Sequence, residues 1–401
     1  MNIAVAQSGG PTSAINASLL GVFKQALKTP EIDAVFGSIN GIEGVINDNL
    51  VDLKLIVKNN EDMELLKLTP STALGSCRYK LPEVQSNAEV YDTILNCFEK
   101  HRIKAFFYIG GNDSMDTVAK LSAFFKAQNS DIKVIGIPKT IDNDLPETDH
   151  TPGFGSAAKY VAATVQEIIR DSSVYSADSV TIIEIMGRGA GWLTASTCVL
   201  RANGELAPHL IYLPEGEFSA EKFIEDVKKA QAKYKAVIVA ISEGVEIPDT
   251  NGEYQSGAVD VFGHKYLSGI GKLLENLVRE KIGCKVRSIE LNVMQRCSSH
   301  ISSKTDLDEA EIIGAEGVKS ALKGVTGETM VFKRVSDKPY VVTIESADST
   351  LIANHEKLFP KKWITAGGNN VSDEAIDYFL PLIQGEVHVP MKNGMPVHFK
   401  L

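Results

Sequence analysis

Two short polar loops carry most of the residues in this sequence that could perform chemistry. The first is GGNDS at residues 110–114, and the second is PKTIDND at residues 138–144. Together they offer a glycine-rich backbone, three carboxylates, a lysine and side chains with amide or hydroxyl groups. This combination is suited to phosphoryl transfer assisted by magnesium, because such catalysis depends on positioning and on neutralising charge.

Each loop follows an apolar run that is typical of a buried parallel strand. AFFYI precedes the first loop and KVIGI precedes the second. Ligands of open α/β sheets bind at the carboxyl ends of such strands. We therefore expect the two loops to face each other across a single crevice.

Both loops also have an interpretation that needs no ligand. Asp113 and Ser114 are common helix caps and could merely begin the helix DSMDTVAKLSAFF. The second loop could be a turn rich in Asp and Asn. However, Asp142 and Asp144 are two residues apart and point the same way in an extended segment, as a general base and a metal-linked partner would. Lys139 beside them favours the functional interpretation.

A third glycine-rich turn, SGGPT at residues 8–12, follows the strand-like NIAVAQ. Glycine allows the backbone to approach a phosphate closely, and the N-terminus of the following helix would favour an anion. Packing between strand and helix explains such turns equally well. The turn is not a P-loop, because the G-K-[ST] ending is missing.

The rest of the chain alternates strand-like and helix-like segments, which indicates a mostly parallel sheet with helices on both faces. At 401 residues two domains are expected. Residues Ile247–Val261 are predicted to form a mobile surface loop. MVFKR and YVVTI, near the C-terminus, are predicted strands.

The bulk composition excludes several functional classes. A formal net charge of −10 provides no positive field for nucleic acid or an acidic membrane. The five cysteines show no C-x-x-C spacing, which favours a reducing cytoplasm without disulfides or structural zinc. No apolar run reaches membrane-spanning length. We expect a cytoplasmic protein with small-molecule ligands.

Eight segments, in this order along the chain, give roughly residues 1–325 a resemblance to the phosphofructokinase family. They are SGGPTSAINA, LGSCR, GGNDS, PKTIDND, EIMGRGAGW, LPEGEF, AISEG and NVMQR. The resemblance implies two Rossmann-like, three-layer α/β domains with mostly parallel sheets and an active site in the cleft between them. It implies a donor-binding domain at 1–145 plus about 265–312, and a fructose 6-phosphate domain at 146–264 plus about 313–329. Residues 330–401 are expected to be an appendage.

The activity implied by the resemblance is phosphoryl transfer to O1 of fructose 6-phosphate, with Asp142 as the general base. Lys139, Asp113 and Arg188 would assist catalysis, and Asn112 and Asp144 would bind Mg²⁺. The implied substrate-binding residues are Gly10, Arg78, Lys139, Thr140, Asp142, Met186, Gly187, Arg188, Glu243, Arg287, Val293, Met294, Gln295 and Arg296. In the family, the position of Arg287 often serves a neighbouring subunit, so a homodimer or homotetramer with shared sites is implied.

Asp113 and Lys139 indicate which phosphoryl donor is used. Members of the family that use ATP usually carry glycine at both positions, whereas aspartate and lysine are typical of the pyrophosphate-dependent branch. A carboxylate about 4 Å from the α-phosphate of ATP would cost roughly 4 kcal/mol at an effective dielectric near 20. That is on the order of a thousandfold in affinity. Lys139 would stabilise the charge on the transferring phosphoryl group. We therefore predict pyrophosphate as the donor and a reversible reaction.

Four positions depart from the pattern that such relatives show. Asn112 stands where a magnesium-binding aspartate is usual, and Ser179 stands where a second interface arginine is usual. Val293 replaces an aromatic residue or histidine, although His300 is close in sequence. Lys24 is the one cation where allosteric relatives carry arginines, so no allosteric control is expected.

Three other kinds of protein compete with this prediction. An ATP-dependent phosphofructokinase would share the fold and the acceptor residues. A non-catalytic regulatory paralogue would bind sugar phosphate without turnover. A NAD or lipid kinase with a GGD-type loop would lack the PKTIDND and MGR segments, which are present here.

Overall fold

A computed structural model describes residues 1–247 and 269–401 of the chain. Apart from Ile247 itself, the predicted loop Ile247–Val261 lies outside the described residues. The strands are, in chain order, β1 (Asn2–Gln7), β2 (Val35–Ser38), β3 (Leu50–Asp52), β4 (Ile103–Gly110), β5 (Lys133–Pro138), β6 (Ser179–Ile185), β7 (Leu210–Tyr212), β8 (Ala236–Ser242), β9 (Lys285–Glu290), β10 (Glu328–Asp337), β11 (Tyr340–Asp348), β12 (Met391–Lys392) and β13 (Met395–Pro396).

The α-helices of the described ranges alternate with these strands. They are α1 (Ile15–Leu27), α2 (Gly41–Ile46), α3 (Leu53–Ile56), α4 (Asn60–Leu68), α5 (Ala88–Lys100), α6 (Asn112–Ala127), α7 (Phe154–Ser172), α8 (Trp192–Ala195), α9 (Ala220–Gln231), α10 (Ile270–Lys281), α11 (Lys304–Leu322) and α12 (Glu374–Phe379). Short 3-10 helices lie at Ser196–Asn203, Asn292–Arg296, Ser299–Ile301, Ser349–Leu351, Lys361–Trp363 and Leu380–Ile383. None of these helices is long and apolar enough to span a membrane.

The first sheet has seven strands in the order β11-β10-β5-β4-β1-β2-β3. Its inner strands pair in parallel, and its edge strands β3 and β11 are antiparallel to their neighbours. Along the chain the sheet grows from β1 towards β3, then in the opposite direction from β4. The switch point between β1 and β4 is where open α/β sheets bind ligands. Two of the glycine-rich turns, at residues 8–12 and 110–114, follow these two strands.

The second sheet has four parallel strands in the order β7-β8-β6-β9. Successive residues of β6 pack into different cores, because side chains alternate along a strand. Ile183 belongs to the core that contains α7, whereas Ile182 belongs to the core that contains α9 and α10. The sheet is therefore the middle of three layers. The predicted α/β fold with mostly parallel sheets is confirmed.

The sheets distribute three segments differently from the predicted domain division. Strand β9 pairs with β6 in the second sheet, although 265–312 was assigned to the first domain. Strand β10 pairs with β5 in the first sheet. The part of α11 assigned to the second domain packs closely on α1: a Cβ at Gly314 would lie 2.2 Å from the carbonyl oxygen of Ser18. The chain therefore crosses between the sheets more often than its motifs indicate.

Residues 330–401 are not an appendage to the two sheets. Strands β10 and β11, both predicted, extend the first sheet. Farther along, Phe359 and Phe379 pack against Trp192 in the core of the second. Between these parts, the chain at residues 354–357 crosses from one sheet to the other. The sequence does not mark this segment as structural or functional, because its contacts with Asn112 and Asp144 are long-range.

A buried ion network joins the loop after β5 to α11. His150, which is 2% exposed, lies 2.9 Å from the carboxylate of Asp149 and 2.8 Å from that of Glu309. Burial disfavours the charged ring, but the two carboxylates outweigh this effect and raise the pKa of His150 to about 9. Its ring also stacks on Phe332, with centroids 4.5 Å apart. His150 is therefore charged in the folded protein at neutral pH.

We expect alkaline pH to weaken the fold through His150. Because its pKa is higher in the folded than in the unfolded chain, its contribution is full below pH 6.5 and is lost as pH rises through 9. The free energy of unfolding should fall by up to about 3 kcal/mol across this window. Urea unfolding at several pH values measures the slope. His150→Gln should flatten it, and equal slopes in both proteins would contradict this role.

Candidate active site

A cavity of about 680 Å³ opens between the carboxyl ends of the two sheets. The first sheet contributes the loops that follow β1, β4 and β5. The second contributes the loops after β6 and β8 and the 3-10 turn after β9. The predicted site residues that line it are Gly10, Arg78, Asn112, Asp113, Lys139, Thr140, Asp142, Asp144, Met186, Arg188, Glu243 and Arg296. The structure thus brings both polar loops and the turn after β1 into one cavity.

The glycine turn after β1 lies against two cationic side chains. Gly9 has φ +75°, and a Cβ there would lie 3.3 Å from Nζ of Lys139. A Cβ at Gly10 would lie 3.3 Å from the Arg296 guanidinium. Lys139 is 2% exposed and donates from Nζ to the carbonyl oxygen of Gly10 at 2.6 Å. Its burial lowers the pKa to about 8, against the opposing effect of Asp142. The turn therefore offers close backbone approach beside concentrated positive charge.

Asp113 lies in the first turn of α6, facing the cavity. The N-cap of α6 is Gly111, and no side chain caps the helix. The alternative in which Asp113 and Ser114 serve as caps is therefore wrong. A helix N-terminus attracts anions, whereas the Asp113 carboxylate repels them. A phosphate group bound here would be attracted by the helix N-terminus and repelled by the Asp113 carboxylate.

Asp142 and Asp144 both line the cavity, although the segment between them is not extended. Asn143 has φ +54°, in the left-handed region, and the backbone N–H of Asp142 donates to Thr140 Oγ1 at 3.1 Å. Burial raises the pKa of Asp142, opposed first by Arg188. Burial and the neighbouring Asp142 raise the pKa of Asp144 to about 7. The expected extended geometry was wrong, but a turn presents both carboxylates to the same space.

The loops of the second sheet hold one another by hydrogen bonds. Met186 donates its N–H to Gln295 Oε1 at 3.2 Å, and Gly187 donates its N–H to Glu243 Oε1 at 3.4 Å. Burial, reinforced by the charge of Asp142, raises the pKa of Glu243 to about 7. Gln295 is buried and does not line the cavity, so it supports Met186 from behind. Glu243 and Arg188 are left facing the interior.

Four predicted site residues besides Gln295 do not line the cavity. Gly187 lies behind the cavity wall, where its backbone N–H donates to Glu243. Val293 and Met294 are 48% and 47% exposed on the 3-10 turn. Arg287 lies on the edge strand β9, 3.4 Å from Asp171, beside a second, smaller pocket that includes Ser179. In a single chain these side chains are therefore separate from the cavity.

The C-terminal region contributes Asn354, His355 and Glu356 to the cavity wall, which the sequence interpretation missed. The Glu356 carboxylate lies over Gly189, where a Cβ would come within 2.6 Å of Oε2. Asn112 donates from Nδ2 to the carbonyl oxygen of His355 at 2.6 Å, and its Oδ1 accepts the N–H of Asn354. No local motif marks these residues as functional. Their one signal is a polar run, NHEK, in an otherwise ordinary loop.

Asp144 is the cavity carboxylate that would hold a divalent cation. Asp142 and Glu356 add negative charge near it, and the opposing charge comes from Lys357. The ammonium of Lys357 is already engaged with three neutral oxygens. Carboxylate oxygens are ligands that Mg²⁺ prefers, and Asp144 would contribute one to such an ion.

The chain is similar to known proteins over its whole length. The family model described as Phosphofructokinase matches residues 2–320. The pyrophosphate–fructose 6-phosphate 1-phosphotransferase of Halomonas elongata is 36% identical over 403 residues, covering 100% of this chain and 96% of that protein. The protein of the same name from Xanthomonas campestris pv. campestris is 38% identical over 406 residues, with the same coverage.

One similar solved structure is the pyrophosphate-dependent phosphofructokinase from Marinobacter aquaeolei. Its TM-score is 0.88 at 36% sequence identity, covering 100% of this chain and 95% of that chain. The similarity therefore extends over the whole chain, including residues 330–401.

Proposed function

Because the chain belongs to the phosphofructokinase family, we propose that it transfers a phosphoryl group from pyrophosphate to O1 of fructose 6-phosphate, reversibly. The observation that carries the donor assignment is the pair Asp113 and Lys139 in one cavity, with Lys139 buried beside the glycine turn. The full-length similarity to pyrophosphate-dependent relatives supports the same donor.

On the acceptor side, Asp142 takes the proton from the 1-hydroxyl of the sugar. Its raised pKa suits a general base, and Arg188 and Lys139 keep enough positive charge nearby for it to be ionised. Thr140 orients the loop by accepting the N–H of Asp142. Arg188 and Glu243 hold the sugar, with Met186 and Gly187 contributing backbone. Arg296 offers a bidentate fork for a phosphate.

On the donor side, the Gly10 backbone, Arg78 and Lys139 surround pyrophosphate. Lys139 lies where negative charge develops on the transferring and leaving groups, which is where a fixed cation lowers the barrier most. Asp113 faces the place where the α-phosphate of ATP would extend, and its carboxylate disfavours that ligand. The donor pocket therefore accepts a short diphosphate and rejects a nucleotide.

Mg²⁺ is the cation that we propose for the carboxylates of the cavity. Phosphotransferases of this family generally use a divalent metal, and Asp144 would hold it together with the diphosphate oxygens. When bound, it supplies charge neutralisation for the diphosphate. Asn112 is the weaker candidate ligand, because its amide oxygen already accepts a backbone N–H.

The wider setting that we propose is a cytoplasmic, non-allosteric homodimer or homotetramer whose partners are small molecules. Arg287 is exposed on an edge strand, apart from its own cavity, which suits a role in a neighbouring site. Lys24 is the one cation of α1 at the positions where allosteric relatives carry arginines. Its ammonium lies 2.9 Å from the Glu311 carboxylate, so it is already paired within the chain. Each of the five cysteines is a free thiol.

Phosphorus NMR of the purified chain with fructose 6-phosphate, pyrophosphate and Mg²⁺ tests this function. We expect orthophosphate and fructose 1,6-bisphosphate to appear together, and the reverse reaction to run from the products. Binding of fructose 6-phosphate without turnover, with any donor, would instead identify a regulatory paralogue. Failure to phosphorylate this sugar with any donor would favour another kinase class.

A further inference from the structure

Residues 354–357 lie between two parts of the active site and bind both. They follow the 3-10 helix Ser349–Leu351 at the end of the first sheet and lead into the core of the second. We call these four residues the clamp segment. One end contacts the N-terminus of α6, and the other contacts the Thr140–Asp144 loop.

The first contact uses the whole amide of Asn112. Its Nδ2 donates to the carbonyl oxygen of His355 at 2.6 Å, while its Oδ1 accepts the N–H of Asn354. Asn354 Nδ2 also donates to Asp116 Oδ1 at 3.2 Å, one turn farther along α6. Asparagine can donate and accept at once, which aspartate cannot do when ionised. The side chain at position 112 is therefore matched to the backbone of the clamp segment.

The second contact uses Lys357. Its backbone N–H donates to the carbonyl oxygen of Asp144 at 2.7 Å. Its ammonium donates to Asn143 Oδ1 at 3.3 Å and to the carbonyl oxygens of Thr148 and Asp149 at 3.0 and 2.8 Å. An ammonium has three donors, and all three are used here.

These contacts hold a backbone that would otherwise relax. Asn143 has φ +54°, in the left-handed region, which residues other than glycine adopt less readily even where, as with asparagine, it is tolerated. Its side chain is fixed on one side by Lys357 and on the other by the hydroxyl of Tyr378, which accepts from Nδ2 at 2.8 Å. Asn143 separates the two cavity carboxylates, so its conformation sets where Asp142 points.

We propose that the clamp segment positions the Thr140–Asp144 loop, which carries the general base, against the N-terminus of α6 on the donor side. Asn112 fastens the segment to α6 and is not a metal ligand; we call it the latch. Lys357 fastens the segment to the loop, and we call it the anchor. The proposal rests on the proposed function, since the two parts that it aligns are the acceptor and donor sides. Misplacing reacting groups by about 1 Å can cost on the order of 10²-fold in rate. Asn112 and Lys357 are positioning residues, which act through the groups they hold.

The latch is tested by Asn112→Ala and Asn112→Asp, with Mn²⁺ affinity measured by electron paramagnetic resonance beside kcat. We expect kcat to fall about 10–100-fold in both variants, while the Kd for Mn²⁺ stays within about twofold in the alanine variant. Asn112→Asp loses the donation to His355, so its added charge should not restore kcat. A tenfold weaker Mn²⁺ affinity in Asn112→Ala, or full activity in Asn112→Asp, would overturn the latch.

The anchor is tested by Lys357→Met, with Lys159→Met as a matched control. Lys159 also donates to a backbone carbonyl of the C-terminal region, Gly385 at 2.6 Å, but lies outside the cavity wall. We expect Lys357→Met to lower kcat about 10–100-fold with a smaller change in KM. The control should stay within about twofold. Equal effects of the two substitutions would overturn the anchor.

Amide hydrogen exchange of residues 140–149 separates this proposal from the proposed function, because it needs no turnover. Faster exchange in Asn112→Ala and Lys357→Met, but not in Lys159→Met, is expected even without substrates. Unchanged exchange in both clamp variants would overturn the clamp while leaving the reaction intact. Conversely, if the wild-type chain lacks turnover while the three variants show this exchange pattern, the proposed function alone is refuted. The double variant should lose little more kcat than either single one, because both residues act through one element.

Discussion

Asp142→Ser is expected to lower kcat by about 10²–10⁴, the range for a lost general base. Asp142 lines the cavity beside Arg188 and Lys139, and burial raises its pKa, which makes its carboxylate a stronger base. Serine cannot take that proton, and it carries no charge that would repel the sugar phosphate. The KM for fructose 6-phosphate should therefore change much less than kcat in steady-state assays.

A stability measurement distinguishes this loss from unfolding. The buried carboxylate of Asp142 is disfavoured in its ionised form, so the folded protein gains no stability from that charge. Asp142→Asn, which keeps the shape, should thus unfold at a temperature no lower than the wild type while losing kcat like the serine variant. If Asp142→Asn keeps its kcat within tenfold, another residue is the base.

Asp113→Gly is expected to raise kcat/KM for ATP by one to three orders of magnitude. The upper limit is the roughly 4 kcal/mol that a carboxylate about 4 Å from a phosphate costs at an effective dielectric near 20. Asp113 lies at the anion-attracting first turn of α6, so its removal leaves a site that favours phosphate. Steady-state kinetics with ATP and pyrophosphate measure the change in donor preference.

Two further substitutions separate charge from size at this position. Asp113→Asn keeps the size and removes the charge, so it should admit ATP nearly as well as glycine does. Asp113→Glu keeps the charge and should continue to exclude ATP. If neither Asp113→Gly nor Asp113→Asn gives measurable turnover with ATP, the selection rests on other residues, with Lys139 first among them.

The parts of the site that local sequence encodes were predictable. The loops after β4 and β5 were located because an apolar strand followed by polar residues is a local pattern, and parallel strands bring such ends together. The alternation of strands and helices likewise predicted three-layer packing. Lys139 was expected near a phosphate site, and it lies buried against the turn at Gly10.

The parts that depend on distant contacts were not predictable. Glu356 enters the cavity because β10 and β11 join the first sheet before the chain crosses to the second core, and no local signal reports that path. Asn112 was interpreted as a metal ligand from its position. Its partners lie more than two hundred residues away, so only the structure shows that its amide is engaged.

The conformation between the cavity aspartates was missed for a related reason. Asp142 and Asp144 were expected on an extended segment, whereas Asn143 adopts a left-handed conformation. Asparagine tolerates that conformation better than most residues, but long-range contacts from Lys357 and Tyr378 select it here. The sequence therefore predicted which residues form the site better than it predicted the backbone conformation that presents them.

Pyrophosphate, not ATP, is the phosphoryl donor that we propose for this chain. The most direct test compares kcat/KM for pyrophosphate, ATP and polyphosphate with the purified wild-type chain, at saturating fructose 6-phosphate and Mg²⁺. We predict that kcat/KM for pyrophosphate exceeds that for ATP by about 10³ or more. Turnover with ATP that equals or exceeds turnover with pyrophosphate would contradict it.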